Sequence, residues 1–171
     1  MTALALTEIE IRLATAADVA DIADAHRDSI DSIGPSFYSP QDVQAWKQGV
    51  APALYLEAMA YGEVFFIATG KVDGEAMVLG FSSDYPIRGT THGTSVYVRG
   101  VAARQGVGTA LIRCAETHAA ARGASTIQIE ASLAGRAFYA ANGYVEVGRG
   151  RAHLTSGHFI ASVRMRKSLH G

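Results

Sequence analysis

The chain has 171 residues, 49% of them hydrophobic and 18% charged, with a formal net charge of −1. That length and composition suit one domain spanning residues 1–171 and exclude a disordered chain. The near-zero charge leaves no basic footprint for nucleic acid or an anionic membrane, and the single cysteine, Cys114, excludes an internal disulfide and the usual Cys-rich zinc sites.

Ile9, Ile11 and Leu13 alternate with polar residues, the pattern of a first strand. Thr15 and Asp18 then form a capping box, with Asp in place of the usual Glu. The helix they open carries Val19, Ile22, Ala23, His26 and Ile30 on one face, and Gly34-Pro35 stops it. Ser39-Pro40 starts a second helix with Val43 and Trp46, the latter read as packing, and a short third helix covers Pro52–Ala60. Strands follow over Glu63–Thr69 and Ala76–Ser82, joined by a turn at Asp73-Gly74. Gly93–Val98 reads as one further strand, and a helix runs from Gly108 to Arg122 with Gly123 as its terminator. Thr126–Glu130 is a strand, Gly135–Asn142 a short helix, and Tyr144–Val147 and Phe159–Met165 are two closing strands. The order describes a mixed α/β domain. No apolar run is long enough to span a bilayer. Met1–Thr7 lacks the basic and apolar parts of a secretory leader, so a reducing, cytoplasmic setting is expected.

The segment from Val96 to Leu111 is the richest in chemistry. A β-branched strand enters a loop with Gly106 and Gly108, and a helix begins at once. Small residues let backbone approach a ligand, and the free N–H groups and dipole of a first helical turn favour an anion. The pattern therefore points to a phosphorylated cofactor. It is not a Walker A loop, because no Gly-Lys-Ser/Thr follows, and the third glycine of a dinucleotide fingerprint is missing.

Two motifs in order carry a family resemblance. Arg104-Gln105-Gly106-Val107-Gly108-Thr109 and, about thirty residues on, Ala137-Phe138-Tyr139…Asn142-Gly143-Tyr144 resemble the coenzyme-binding and second motifs of the GNAT superfamily of N-acetyltransferases. The resemblance covers nearly the whole chain. It implies a mainly antiparallel central sheet with helices on both faces. Two neighbouring parallel strands, here Gly93–Val98 and Thr126–Glu130, would splay apart around acetyl-CoA. Val96, Tyr97, Val98 and residues 104–109 would hold the coenzyme, with Arg104 and Arg136 reaching its phosphates. The family pattern is broken at Ala103, where Gln or Arg is common, and at Ala134, where Asn is common; Ser132 could supply the missing contact.

Acetyl transfer needs a polarised carbonyl, a neutral amine and a proton for the departing thiolate. By resemblance, the N–H of Val98 polarises the carbonyl as an oxyanion donor. Tyr139 is the expected general acid, since a phenol with a reference pKa of about 10 keeps its proton at neutral pH. His92 and Glu130 are the two candidates for the base, and water alone could also carry the proton away. Phe37 and Tyr38, between the early helices, are the expected acceptor-pocket residues. His26 reads as a satisfied core or pocket-edge histidine, His118 and Cys114 read as packing, and no metal is expected. The expected acceptor is an amine of a small molecule or peptide, with neither nucleic acid nor membrane as partner; a homodimer is common among such domains. The alternative is a non-enzymatic module that binds acetyl-CoA to regulate a partner.

Overall fold

The computed structural model describes residues 4–169, so the first three residues of the leader reading lie outside it. The elements are β1 (Leu6–Leu13), α1 (Val19–Ile33), α2 (Pro40–Gln48), α3 (Pro52–Ala60), β2 (Val64–Val72), β3 (Glu75–Arg88), β4 (Thr91–Gly93), β5 (Val96–Val98), α4 (Val107–Ala121), β6 (Thr126–Ser132), α5 (Arg136–Ala141), β7 (Val145–His153) and β8 (Phe159–Ser168). The sheet order is β1-β2-β3-β4-β6-β8-β7, with β5 paired to β3. Every pairing is antiparallel except β4 with β6. Among the described residues no helix is long and apolar enough to cross a membrane.

The capping box at Thr15 and Asp18 is present, but it caps a single 3-10 turn, Ala16–Asp18, from which α1 continues. Arg12 holds Asp18 from the end of β1 with two hydrogen bonds of 2.9 and 2.8 Å. The sheet is covered on both faces, as the alternation of its strands requires. On one face Ile22, Ile30, Val43, Trp46 and Tyr55 from α1–α3 pack against Phe65, Ile67 and Phe81. On the other, Leu111 of α4 packs with Ala68 and Leu79, while Ile112, Ala119 and Tyr139 pack with Ile127, Ile129, Val163 and Met165.

Strand β3 extends six residues past the sequence reading, which ends it at Ser82. Pro86 looks like a breaker there, yet it costs no ladder bond. Odd-numbered residues of β3 bond toward β5, as the Ser83 N–H does to the Ser95 carbonyl at 3.0 Å. Pro86 therefore points its missing N–H to the other side, where β2 has already ended opposite Asp84.

The expected strand Gly93–Val98 is divided. Toward β3 its register is continuous, with Tyr85 opposite Gly93 and Ser82 opposite Val96. Toward β6 it pairs only from Thr91 to Gly93 and then leaves. The splay is thus one strand that keeps one neighbour and loses the other. The closing strands are longer than read, and their hairpin folds back on α2. His158 meets Asp42 at 2.7 Å, and Ser156 donates to the Ala45 carbonyl at 3.1 Å.

Candidate active site

Where β5 parts from β6 the backbone of β5 is left with an unpaired edge. The Arg99 N–H donates to the Leu79 carbonyl, and the Ser95 carbonyl accepts from β3, so positions 95, 97 and 99 face β3. Alternation turns the N–H groups of Val96 and Val98 into the gap. The Val96 N–H is used at once, donating to the hydroxyl oxygen of Tyr139 at 3.2 Å.

Tyr139 stands on α5, almost fully buried, with its ring edge-on to Phe138 and Tyr144. Gly135 makes room for it, because a Cβ there would stand 3.1 Å from the Tyr139 ring. Burial pushes the phenol pKa well above its ordinary value, and the Val96 N–H opposes that only in part. The group is a neutral phenol at physiological pH, its oxygen already accepting a bond and its proton free to be given.

One cavity of about 580 Å³ runs through the gap. At one end it meets Arg104, Gly106, Gly108 and Thr109; along its length it meets Val96, Val98 and Tyr139. Gly106 adopts the left-handed conformation at φ +83° as the N-cap of α4, and no side chain caps the helix. The first intrahelical bond there runs from the Ala110 N–H to the Gly106 carbonyl, so the N–H groups of Val107, Gly108 and Thr109 are left for a ligand. Gly108 is confined on its other side, where a Cβ would stand 2.9 Å from Phe138 and 3.5 Å from Val98. It lets α4 close on α5 as much as it opens the backbone to an anion.

Not every expected residue reaches this cavity. Gln105 is exposed and donates from its amide to the Val101 carbonyl at 2.9 Å. Arg136 lies outside the lining, paired with Glu146 at 2.8 Å. Phe37 is half exposed and outside the lining. Tyr38 is outside it too: its hydroxyl donates to the Ala161 carbonyl at 2.6 Å and accepts from the Leu133 N–H at 2.8 Å, a structural tie that spends its proton. Ala103 and Ala134, where the family pattern is broken, both line the cavity, as does Ser132.

The two base candidates separate. Glu130, on β6 at the gap, lines the cavity; its carboxylate accepts from Ser162 at 3.1 Å and lies 3.5 Å from Arg164. His92 does not line it. Its side chain is buried, with Nδ1 2.6 Å from Asp84, whose other oxygen lies 2.7 Å from Nδ1 of His118 and 3.5 Å from Arg122. That cluster fastens β3 and β4 to α4, so His118 is a carboxylate partner and not plain packing.

Residues that sequence reasoning placed elsewhere complete the other end. Trp46, Ser29, Tyr85 and the ring of Tyr97 line the cavity on the α1–α2 side. The Val96-Tyr97-Val98 alternation carried the signal for Tyr97: its ring must point away from the valines, and it packs 3.9 Å from His26 and 6.2 Å from Trp46, centroid to centroid. The Tyr97 backbone faces β3, so this residue offers the gap neither its N–H nor its carbonyl.

Comparison with known proteins agrees with this architecture. Residues 36–169 match the family model described as an acetyltransferase (GNAT) domain. A GCN5-related N-acetyltransferase (aminotransferase, class-II) from Rhodopseudomonas palustris is 27% identical, with a TM-score of 0.78 over 96% of this chain and 98% of that one. At 18% identity, the PaiA N-acetyltransferase from Thermoplasma acidophilum, solved with coenzyme A, gives a TM-score of 0.72 over 94% of this chain and 99% of that one. The ribosomal-protein-alanine N-acetyltransferase from Brucella melitensis, 22% identical, gives 0.65 over 93% and 99%. No curated protein matches the chain. The family match spans the gap, the bare helix turn and the tyrosine together, and the chain belongs to the GNAT family of acetyltransferases.

Proposed function

We propose that the protein, as one transferase domain over residues 1–171, moves the acetyl group of acetyl-CoA directly to a primary amine of a small molecule or peptide. One observation carries the reading: a single cavity joins the unpaired first turn of α4 to the neutral phenol of Tyr139 through the break between β5 and β6. The coenzyme would supply an activated acetyl thioester. The N–H groups of residues 107–109 and the Arg104 side chain suit its diphosphate, since a bare helix N-terminus favours negative charge. The coenzyme bound to the PaiA enzyme supports that choice of ligand.

The gap-facing N–H of Val98 suits a carbonyl oxygen that gains charge as the carbon becomes tetrahedral. Tyr139 gives its proton to the sulfur as the C–S bond breaks, helped by the Val96 N–H that steadies the developing phenolate. Glu130 takes the proton lost by the amine, directly or through water. His92 is left out of this assignment, because its Nδ1 is occupied by Asp84 and its side chain is away from the cavity. A cytoplasmic setting belongs to the same proposal.

The test is thiol release from acetyl-CoA across a panel of amines, with acetylated product identified by mass. Turnover that depends on the amine and falls in Tyr139→Phe supports the reading. Tight acetyl-CoA binding with no turnover on any amine would favour the regulatory module instead.

A further inference from the structure

The end of the cavity away from the glycine loop has its own chemistry. Ile33 of α1, Trp46 of α2 and Tyr97 of β5 are apolar or aromatic walls there. Tyr97 is backed by His26, Phe81 and Trp46, which fix its ring. Among the described residues its hydroxyl has no hydrogen-bond partner, so one phenol is left for a guest.

Charge is the sharper constraint. Only two lining residues carry a formal charge, Arg104 in the glycine loop and Glu130 on β6. Arg104 serves the diphosphate end, so the acceptor end holds one charge and it is negative. The cation nearest Glu130 in the ion pairs is Arg164, on β8, and β8 lies on the side of β6 away from the gap. His26 adds no charge, since burial holds its pKa at about 3.

We propose, on the basis of the transferase reading above, that the acceptor is a monoamine: one protonated primary amine on a short, flat apolar body, with no carboxylate beside it and no second ammonium. An ammonium ion meets Glu130 and the Tyr97 oxygen, while a planar body lies against the wall that the edge-to-face pair of Trp46 and Tyr97 makes together. An α-amino acid brings a carboxylate into an end with no cation to receive it, and desolvating that anion costs more than the walls return. A polyamine brings a second charge that finds only Glu130. The cavity volume, shared with the coenzyme arm, keeps the acceptor small.

The experiment is titration calorimetry on the protein saturated with coenzyme A, using 2-phenylethylamine, L-phenylalanine and spermidine. The expected result is binding of 2-phenylethylamine at least about tenfold tighter than either of the others, the size of a charge-assisted bond. Glu130→Gln, which keeps an oxygen for the Ser162 hydroxyl and removes the charge, should lower 2-phenylethylamine affinity about tenfold and leave L-phenylalanine unchanged, with its melting curve checked against wild type. Trp46→Leu, checked by its melting curve, should weaken 2-phenylethylamine about fivefold with coenzyme affinity unaltered. Equal or tighter binding of L-phenylalanine or spermidine, or no binding of any of the three, overturns the assignment. Thiol release separates this from the parent reading. Amine binding without turnover sinks the transfer and leaves the acceptor class standing; turnover that prefers amino acids or polyamines does the reverse.

Discussion

Tyr139→Phe removes one oxygen and little else. The ring keeps its edge-on contacts with Phe138 and Tyr144, at centroid distances of 5.1 and 5.6 Å. The deleted bond, from the Val96 N–H, is long at 3.2 Å, and the freed N–H opens on the cavity, where water can reach it. A stability loss of about 1 kcal/mol follows, which lowers the melting temperature of a domain this size by roughly 2–4 °C. Catalysis should suffer far more. If the phenol protonates the departing thiolate, kcat falls about a hundredfold, or about 2.7 kcal/mol of transition-state stabilisation, while KM for acetyl-CoA stays within about threefold because the α4 turn is untouched. Wild-type kcat should show no loss of the acid through the neutral range, since burial raises the phenol pKa and the protonated form is the active one. Steady-state kinetics across pH, with calorimetric melting of both proteins, read all of these. A kcat within about threefold of wild type, together with the small melting shift, would reduce Tyr139 to a packing residue and remove the acid from the mechanism.

Other substitutions separate the site from its frame. Gly106→Ala forces a side chain to φ +83° in open space, so it should cost about 1–2 kcal/mol and weaken acetyl-CoA binding; unaltered affinity by calorimetry would detach the ligand from the loop. Gly108→Val drives a branched group toward Phe138 and into the gap, and at least about a tenfold loss of coenzyme affinity with an unchanged far-UV spectrum is expected. His92→Gln should keep kcat within about threefold in protein that folds, whereas Asp84→Ala, which strips a fully buried carboxylate from two imidazoles and Arg122, should cost about 3–5 kcal/mol by denaturant melts. His26 is neutral in the fold, with a pKa near 3 against 6.5 in the unfolded chain. The unfolded state therefore binds the extra proton, and stability falls as pH drops from about 6.5 toward 3, by about 2 kcal/mol at about pH 5. His26→Gln should flatten that slope, and an equal slope in the variant would place the acid sensitivity elsewhere.

The parts of this fold legible in the sequence are those written locally. The left-handed Gly106, the capping box and the Asp73-Gly74 turn each need a residue type at one position, and each is where the sequence puts it. The break in the strand over residues 93–98 has no such local mark. Its alternation is correct for an unbroken strand because it is unbroken toward β3; only the loss of β6 after Gly93 divides it, and that is a property of two strands brought together by the chain between them. The same absence misleads about His92. With β3 ended at Ser82, Asp84 looks like a loop residue and His92 looks free; extending β3 past Pro86 sets the two across a hairpin, 2.6 Å apart, and spends the imidazole on holding α4. Tyr38 and Tyr97 make the matching pair for the proposed acceptor end. Position between the helices favours Tyr38, but its hydroxyl is consumed by Ala161 and Leu133. Tyr97 sits between two valines in a strand of period two, which commits its ring to the face opposite theirs, and so it lines the cavity on the α1–α2 side. Under the proposed transfer, one three-residue strand would serve both substrates because its residues differ chemically by parity: the Val96 and Val98 amides for the thioester, the Tyr97 phenol for the amine.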